Sequence, residues 1–554
     1  MIAPRYVIGM DFGTLSGRAV LVDANTGYVA AQEEREYEHG VITTRSDGSR
    51  LPMGWAIQEP EDYLQVLESA VSALVRRSGV DPRSVVGLAF DVTACTMLPT
   101  RENGTPISRE TAFRKEPHAK VKLWKHLAAQ NQCARLERAA AERMPGLLDR
   151  YGGKVSSQWM VPKVMQIMEE APEVFEAADL FLEVLDWMNY RLTGTLRRNT
   201  CFAGFKSFWN GEQGYPDDRF LAPEDERLAG LFTGKLRGRM AAPWDPVGRL
   251  TPEWAGRLGL TTETVVGAGI IDAHSGVLGS GITGEGTMVL IMGTSTCHLL
   301  LDREQKPVPG ICGSSPNSIL PGYHAYEAGQ ACVGDMLEWF VENQTPAEVL
   351  EDARTRCMDL HQLLSEQAGK LCPGECGLLA LDWWNGQRSP LVDDRLTGLM
   401  VGVTLRTTPA DQYRALMEAT AFGTRMILEN FEQAGMAVSD LAACGGIARK
   451  NPVMMQIYAD VLQRPIRVAA SDQSPALGAA ILAAAAAGVH DTVERAVEVM
   501  TSSGSTVYLP NPDHGPVYDR LYRAYAELAD HFGRGGSGIM MELGALAAEQ
   551  QNAN

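Results

Sequence analysis

At 554 residues the chain is long for a single hydrophobic core, so two domains with appended elements are expected. A hydrophobic content of 45% and a charged content of 21% are ordinary for a soluble globular protein, and a net charge of -18 argues against nucleic acid or an anionic membrane as partner. ATP stays open, because backbone dipoles and metal hold it locally.

Of the ten cysteines only Cys372 and Cys376 are close neighbours, with no Cys-x-x-Cys and no clustered histidine beside them. Neither a zinc site nor a disulfide framework is expected, and reduced thiols in a cytoplasmic enzyme are the simpler account. The N-terminus runs straight into a predicted strand, without the regions of a signal peptide. The most apolar later stretch, Ala476 to Gly488, is too short and alanine-rich to span a bilayer.

In chain order, Tyr6-Val7-Ile8-Gly9-Met10 and Arg18-Ala19-Val20-Leu21-Val22-Asp23 read as two strands around a Gly13-Thr14 turn, with Asp11 just ahead of it. Glycine admits an anion close to the backbone, and successive N–H groups and a hydroxyl suit phosphate oxygens. Asp11 suits Mg2+, a hard cation that takes oxygen ligands. A helix is predicted from Pro60 to Arg77, then a strand from Val85 to Phe90 that ends in Asp91-Val92-Thr93-Ala94-Cys95-Thr96. Polar residues at the carboxyl end of a buried strand are where open α/β sheets place ligands.

Helical patterns dominate 115 to 200, over Lys120 to Glu142, over Pro162 to Glu170 and ending from Asp186 to Gly194; the cations and Trp124 there read as a solvated face. Lys206 sits among Phe205, Phe208 and Trp209, either as an enclosed donor or as a snorkelling side chain. The strand Thr264 to Gly269 leads to Asp272 at a helix start, as a dipole partner or as a catalytic carboxylate. His274 has no metal-spaced partner and reads as a packing residue. Gly279-x-Gly281-x-x-Gly284 has dinucleotide-fingerprint spacing, yet precedes a strand where it should follow one, and no P-loop occurs.

Val289 to Met292 and Cys297 to Leu301 then flank a second turn, Gly293-Thr294-Ser295-Thr296. Two such hairpins far apart suggest two similar domains facing one phosphate chain. Beyond them come Glu327-Ala328-Gly329-Gln330, an amphipathic helix through Trp339, a turn at Asn385 to Pro390 and a long helix from Thr408 to Gln433. Cys444-Gly445-Gly446-Ile447 reads as strand, double-glycine turn and helix, where a flat base and ribose could lie on bare backbone. From about Gly533 the composition turns Gly-, Ala- and Gln-rich, so the end is expected to be disordered or weakly helical.

In this order Asp11-Phe12-Gly13-Thr14, the Asp272 segment, Gly293-Thr294-Ser295-Thr296 and Gly445-Gly446 resemble the ribonuclease H-like ATPases: sugar kinases, actin and heat-shock ATPases. Lys163, Asp186, Leu192-Thr193-Gly194, Asn385-Gly386-x-Arg388-x-Pro390 and Gly398-x-x-x-Gly402 narrow the resemblance to the FGGY carbohydrate kinases, over roughly residues 6 to 490. Asp91-x-Thr93-x-x-Thr96, Tyr151-Gly152-Gly153, Ala203-Gly204-x-Lys206-Ser207 and Glu327-Ala328-Gly329-Gln330 resemble the branch that acts on L-ribulose. Ser474-Pro475 and Gln412 depart from the family pattern, away from the presumed chemistry.

The resemblance implies an α/β fold of two actin-like (ribonuclease H-like) domains flanking a catalytic cleft. They would span 1–280 on the sugar side and 281–500 on the nucleotide side, with 501–554 as a C-terminal extension. It implies transfer of the γ-phosphoryl of ATP, with Mg2+, to the terminal hydroxyl of a ketopentose, L-ribulose first and D-ribulose and others besides, as in L-arabinose catabolism. Asp272 would be the general base, and Ala94, Lys206 and Glu327 would line the sugar with it. Gly13, Thr14, Gly293, Thr294, Ser295, Gly445, Gly446 and Asn451 would hold the nucleotide, and Asp11 the metal. A homodimer is one assembly open to such a chain. The alternatives are an FGGY kinase for xylulose or glycerol, and an actin- or chaperone-like ATPase.

Overall fold

The computed structural model describes residues 4–501 and 504–552. Its first large sheet takes the strands in the order Pro246–Arg249, Val265–Gly267, Val85–Val92, Tyr6–Phe12, Ser16–Asp23, Val29–Glu36, with Ile270–Ile271 also pairing Val85–Val92. The second runs Gly313–Pro316, His324–Gln330, Thr296–Asp302, Thr287–Met292, Asp440–Cys444, Ile466–Val468, Thr506–Tyr508. Both repeat one plan. An antiparallel hairpin opens each half, and its first strand then pairs in parallel with a later one: Tyr6–Phe12 with Val85–Val92, and Thr287–Met292 with Asp440–Cys444.

The chemistry of the strands explains their places. Val7, Ile8, Met10 and Phe12 are all fully buried, as a central strand covered on both faces requires. The outer strand Val29–Glu36 carries Gln32, Glu33, Glu34 and Glu36, and such charge on an edge discourages further pairing.

One helix crosses from the second half to the first. Ser474–Ala486 falls in sequence between the last two strands of the second sheet but packs its Ala476, Ala480 and Ile481 into the core of the first. The approach needs bare glycines. A Cβ at Gly9 would fall inside contact distance of the Ala476 carbonyl and the Ala480 nitrogen, and one at Gly478 would strike the Ser275 carbonyl on the neighbouring helix Asp272–Gly279. The chain after 500 builds on the second half: Thr506–Tyr508 extends its sheet, and Gly515–Gly533 gives Tyr518, Tyr522 and Tyr525 to its core.

One local expectation changes. The helix foreseen from Lys120 starts only at Gln130, because Val121–Lys122 is drawn into a small antiparallel sheet with Ile57–Gln58 and Met97–Thr100. Of the two alternatives for the tail past Gly533 the helical one holds: Ile539–Asn552 is a helix that seats Met540 in the second core.

Gly9→Val is expected to lower the thermal transition, since the added atoms meet backbone that cannot rotate away; overpacking of this kind costs about 1–3 kcal/mol. An unchanged melting temperature would show that the crossing helix yields.

Candidate functional site

Three carboxylates meet at the carboxyl ends of the first sheet. Asp11 and Asp91 stand opposite one another in register on their parallel strands, and Ile270 pairs with Asp91, which sets Asp272 beside both as the first residue of its helix. Neither Asp91 oxygen has a hydrogen-bond partner among the described residues, though both are buried. Burial, and then the charge of Asp11, push the Asp91 carboxyl well above its usual range. The same two causes raise Asp272 to about 7. Asp11 is raised by burial against the pull of Arg18, whose Nη1 lies 3.6 Å away. Asp91 was absent from the expected site residues; the signal for it was its place at the end of a buried strand.

The first hairpin turn is braced from outside. Gly13 donates to the Ser16 carbonyl at 3.0 Å, Tyr37 Oη donates to the Gly13 carbonyl at 3.0 Å, and Gln58 Nε2 to the Thr14 carbonyl at 2.8 Å. Trp124, expected on a solvated face, instead donates from its indole to Thr14 Oγ1 at 3.0 Å. The strand Val121–Lys122 that replaced the expected helix is what carries Trp124 there. In the second hairpin Gly293 donates to the Ser295 carbonyl at 2.9 Å, while Val333 and Gly334 donate to the carbonyls of Thr294 and Gly293. Thr294 itself is exposed.

Gly445 takes a positive φ of 98° and lies against the Met292 carbonyl, where a side chain would collide, while the Cβ position of Gly446 faces open space. The Asn451 side chain is occupied elsewhere. Its Oδ1 caps the helix Pro452–Leu462 through Met454 N–H at 3.0 Å, and its Nδ2 donates to Ser365 Oγ at 2.9 Å.

On the other side of Asp272, Ala94 opens a tight loop in which Cys95 adopts a left-handed φ of 56°. The fully buried Lys163 holds that loop, donating to the Cys95 carbonyl at 2.6 Å and the Leu123 carbonyl at 2.7 Å. Lys206 ends the helix Thr200–Lys206, which Asn199 caps, and it does not snorkel: its side chain is 4% exposed and Nζ donates to Glu327 Oε2 at 2.8 Å. The bond joins the two halves of the molecule. His274 Nε2 lies 3.2 Å from the same oxygen and Arg388 Nη2 donates to Oε1 at 2.6 Å. With Glu327 ionised, the imidazole is the Nε2–H tautomer and its Nδ1 accepts from the Cys201 thiol at 3.1 Å. Burial would raise the Glu327 carboxyl, but the Lys206 charge, the His274 bond and the Arg388 charge outweigh it and hold the group well below the ordinary range. Burial likewise lowers His274.

The strand bearing Glu327 is locked at its end. Gln330 Nε2 donates to Asp382 Oδ2 at 2.7 Å and to the Thr420 carbonyl at 2.8 Å, and its Oε1 accepts from Thr424 at 3.0 Å; the last two lie on the long helix Pro409–Gln433. The charges of Asp11, Glu327 and Lys206 all act on Asp272, which thus lies between the acidic corner and the Lys206–Glu327 pair.

Two sheets of one plan, each opened by an antiparallel hairpin, with Asp272 beside Asp11 and Asp91, define a kinase of the actin-like class. Residues 6–279 match the N-terminal domain, and residues 288–487 the C-terminal domain, of the FGGY family of carbohydrate kinases. The chain belongs to that family. It is 48% identical over 526 residues to a ribulokinase of Bacillus licheniformis, spanning 94% of this chain and 95% of that one. To a ribulokinase of Halalkalibacterium halodurans it is 45% identical over 552 residues, 99% of this chain and 98% of the other. Among solved structures, a xylulose kinase from Rhodospirillum rubrum superposes with a TM-score of 0.77 at 25% identity, covering 95% of this chain and 98% of its own.

The cross-half pair is expected to show favourable coupling in a double-mutant cycle. Lys206→Met and Glu327→Gln should each lower stability in denaturant, and the double variant should lose less than their sum, by roughly 0.5–3 kcal/mol. Strict additivity would mean that the two side chains are apart in solution.

Proposed function

We propose that the chain transfers the γ-phosphoryl group of ATP to the terminal hydroxyl of L-ribulose, giving L-ribulose 5-phosphate and ADP. The observation that carries this is the place of Asp272, between the Asp11–Asp91 corner and the Lys206–Glu327 pair. Ribulokinase relatives of nearly the same length support the choice of sugar.

The sugar's carbonyl and hydroxyl groups bond to Lys206, Glu327 and the backbone at Ala94, which aims the terminal hydroxyl at Asp272. As that oxygen attacks phosphorus, its proton passes to the Asp272 carboxylate and the bond to the ADP oxygen breaks. Both hairpins and the Gly445–Gly446 turn offer backbone N–H groups to the phosphates and bare backbone to the nucleoside. The unpartnered Asp91 oxygens beside Asp11 fit a hard cation, so these two residues are the ones that would hold Mg2+. Bound there, the ion would neutralise phosphate charge.

We also propose the division 1–280, 281–500 and 501–554, with the helix Ser474–Ala486 crossing back to the first unit. A cytoplasmic location suits an ATP-using enzyme whose ten cysteines are all free; among the described residues no helix is long and apolar enough to cross a membrane. Val403 and Leu405, exposed beside the edge strand Leu399–Val401, support a homodimer, which sedimentation would test.

Asp272→Asn should keep sugar affinity and cut kcat by on the order of 100- to 10,000-fold, because an amide cannot take up the proton. If Asp272 were only a helix-start residue, asparagine would serve as well and kcat would stay near that of the parent. The parent's kcat/KM for the sugar should fall as pH drops through about 7, where the raised Asp272 carboxylate takes on a proton. A coupled assay over ketopentoses, aldoses and polyols decides the sugar, and a higher kcat/KM for xylulose or glycerol would displace L-ribulose.

A further inference from the structure

Arg388 is 61 residues from Glu327 in sequence, and the chemistry above gives it no task. Its guanidinium nonetheless has a built seat. Nη2 donates to Glu327 Oε1 at 2.6 Å, Nε donates to Cys312 Sγ at 3.1 Å, and Nη1 lies 3.9 Å from Cys297 Sγ. The seat exists because Gly329, on the same face of the strand two residues past Glu327, has no side chain: a Cβ there would come within 3.2 Å of Nη1 and 3.3 Å of Cδ. The loop is fastened on both sides of the arginine. Ser389 Oγ accepts from the Gly329 N–H at 3.3 Å, and Gln387 exchanges backbone bonds of 2.8 and 2.9 Å with Asp393.

The two Glu327 oxygens therefore have different duties. Oε1 belongs to Arg388, while Oε2 carries Lys206 and His274. We propose that Arg388 is a positioning residue for the sugar: it holds the Glu327 carboxylate ionised and turned so that the Oε2 edge, with the Lys206 ammonium on it, faces the acceptor. This rests on the reading of Lys206 and Glu327 as sugar ligands. Arginine suits the task because its charge does not titrate and its planar fork fixes the plane of a carboxylate, which a lysine's point charge does not.

Glu327 is surrounded from every side by groups of known kind. Lys206 reaches it from the Thr200–Lys206 helix, His274 from the Asp272–Gly279 helix, and Arg388 from its own loop. Asp272 and the thiols of Cys95, Cys201 and Cys297 also feel its charge, and Cys312, whose thiol accepts from Arg388, donates its backbone N–H to the Glu327 carbonyl at 2.7 Å. Without Arg388 one cation and a neutral imidazole remain against a carboxylate that is only 5% exposed, and burial drives it towards the protonated form. Protonated Glu327 releases its hold on Lys206. Since the ionised form is the one that works, loss of Arg388 moves the loss of sugar binding to higher pH.

The test uses the full-length enzyme. Arg388→Gln should raise the L-ribulose KM by on the order of tenfold to a hundredfold, with ATP KM unchanged, and Arg388→Lys should fall between it and the parent. Calorimetric binding of L-ribulose in the Asp272→Asn background, which removes that residue's own titration, should be lost on acidification at a higher pH with Arg388→Gln than with Arg388 present. Thermal unfolding establishes that each variant is folded. An unchanged sugar KM in folded Arg388→Gln, equal rises for sugar and ATP, or a lysine variant no better than the glutamine variant would overturn the positioning role. Lys206→Met run alongside separates the two failures: if it leaves the sugar KM unchanged, the sugar site itself is misplaced, and if it raises KM while Arg388→Gln does not, only Arg388 is wrong.

Discussion

A carboxylate taken out of water is costly unless cations and hydrogen bonds replace its hydration, and Glu327 is the place where this molecule meets that cost. Its partners come from three separate segments: Lys206 from the first half, His274 from the helix that begins with Asp272, and Arg388 from a loop of the second half. Each is held by something else. Asn199 caps the lysine's helix, Cys201 orients the imidazole, and Gly329 leaves room for the guanidinium. One buried negative charge thus draws both halves of the chain to a single point and orders the groups around Asp272.

The acidic corner follows the opposite logic. Asp11, Asp91 and the half-buried Asp272 share one corner, with Arg18 beside Asp11 and the Lys206 charge acting on Asp272, and burial first, then the Asp11 charge on Asp91 and Asp272, shifts their carboxyls upward. Such an arrangement is unfavourable in the empty fold and is relieved by positive charge, which is what a site for a metal and a phosphate chain requires. Burial, and then the Asp11 charge, raise the Asp272 carboxyl to about 7, which suits the base role proposed for it.

Close backbone approach works beside a shared apolar core, which takes in Val289, Leu299 and Leu301 of the second sheet, to make the two sheets one molecule. The helix Ser474–Ala486 reaches the first sheet because Gly9, Gly87 and Gly478 present no Cβ at the crossing, and its own alanines keep the contact close.

Much of this was local enough to read in the chain. The two hairpins with their Gly-Thr turns, the double glycine after a strand and Asp272 at a helix start are set by neighbours within a few residues, through turn chemistry and hydrophobic period. The duplicated α/β plan followed from finding the hairpin twice. What lay beyond the sequence were the partnerships: Asp91 opposite Asp11, Trp124 on Thr14, Asn451 spent as a cap, and Arg388 and His274 on Glu327. The Lys206–Glu327 bond joins residues 121 apart. The Lys120 helix failed for the same reason, because Val121 and Lys122 had strand partners more than 60 positions away to satisfy their backbone. Local chemistry chooses the conformation of a turn or a helix start, whereas a buried charge takes whichever counter-charge the tertiary fold brings within bonding distance.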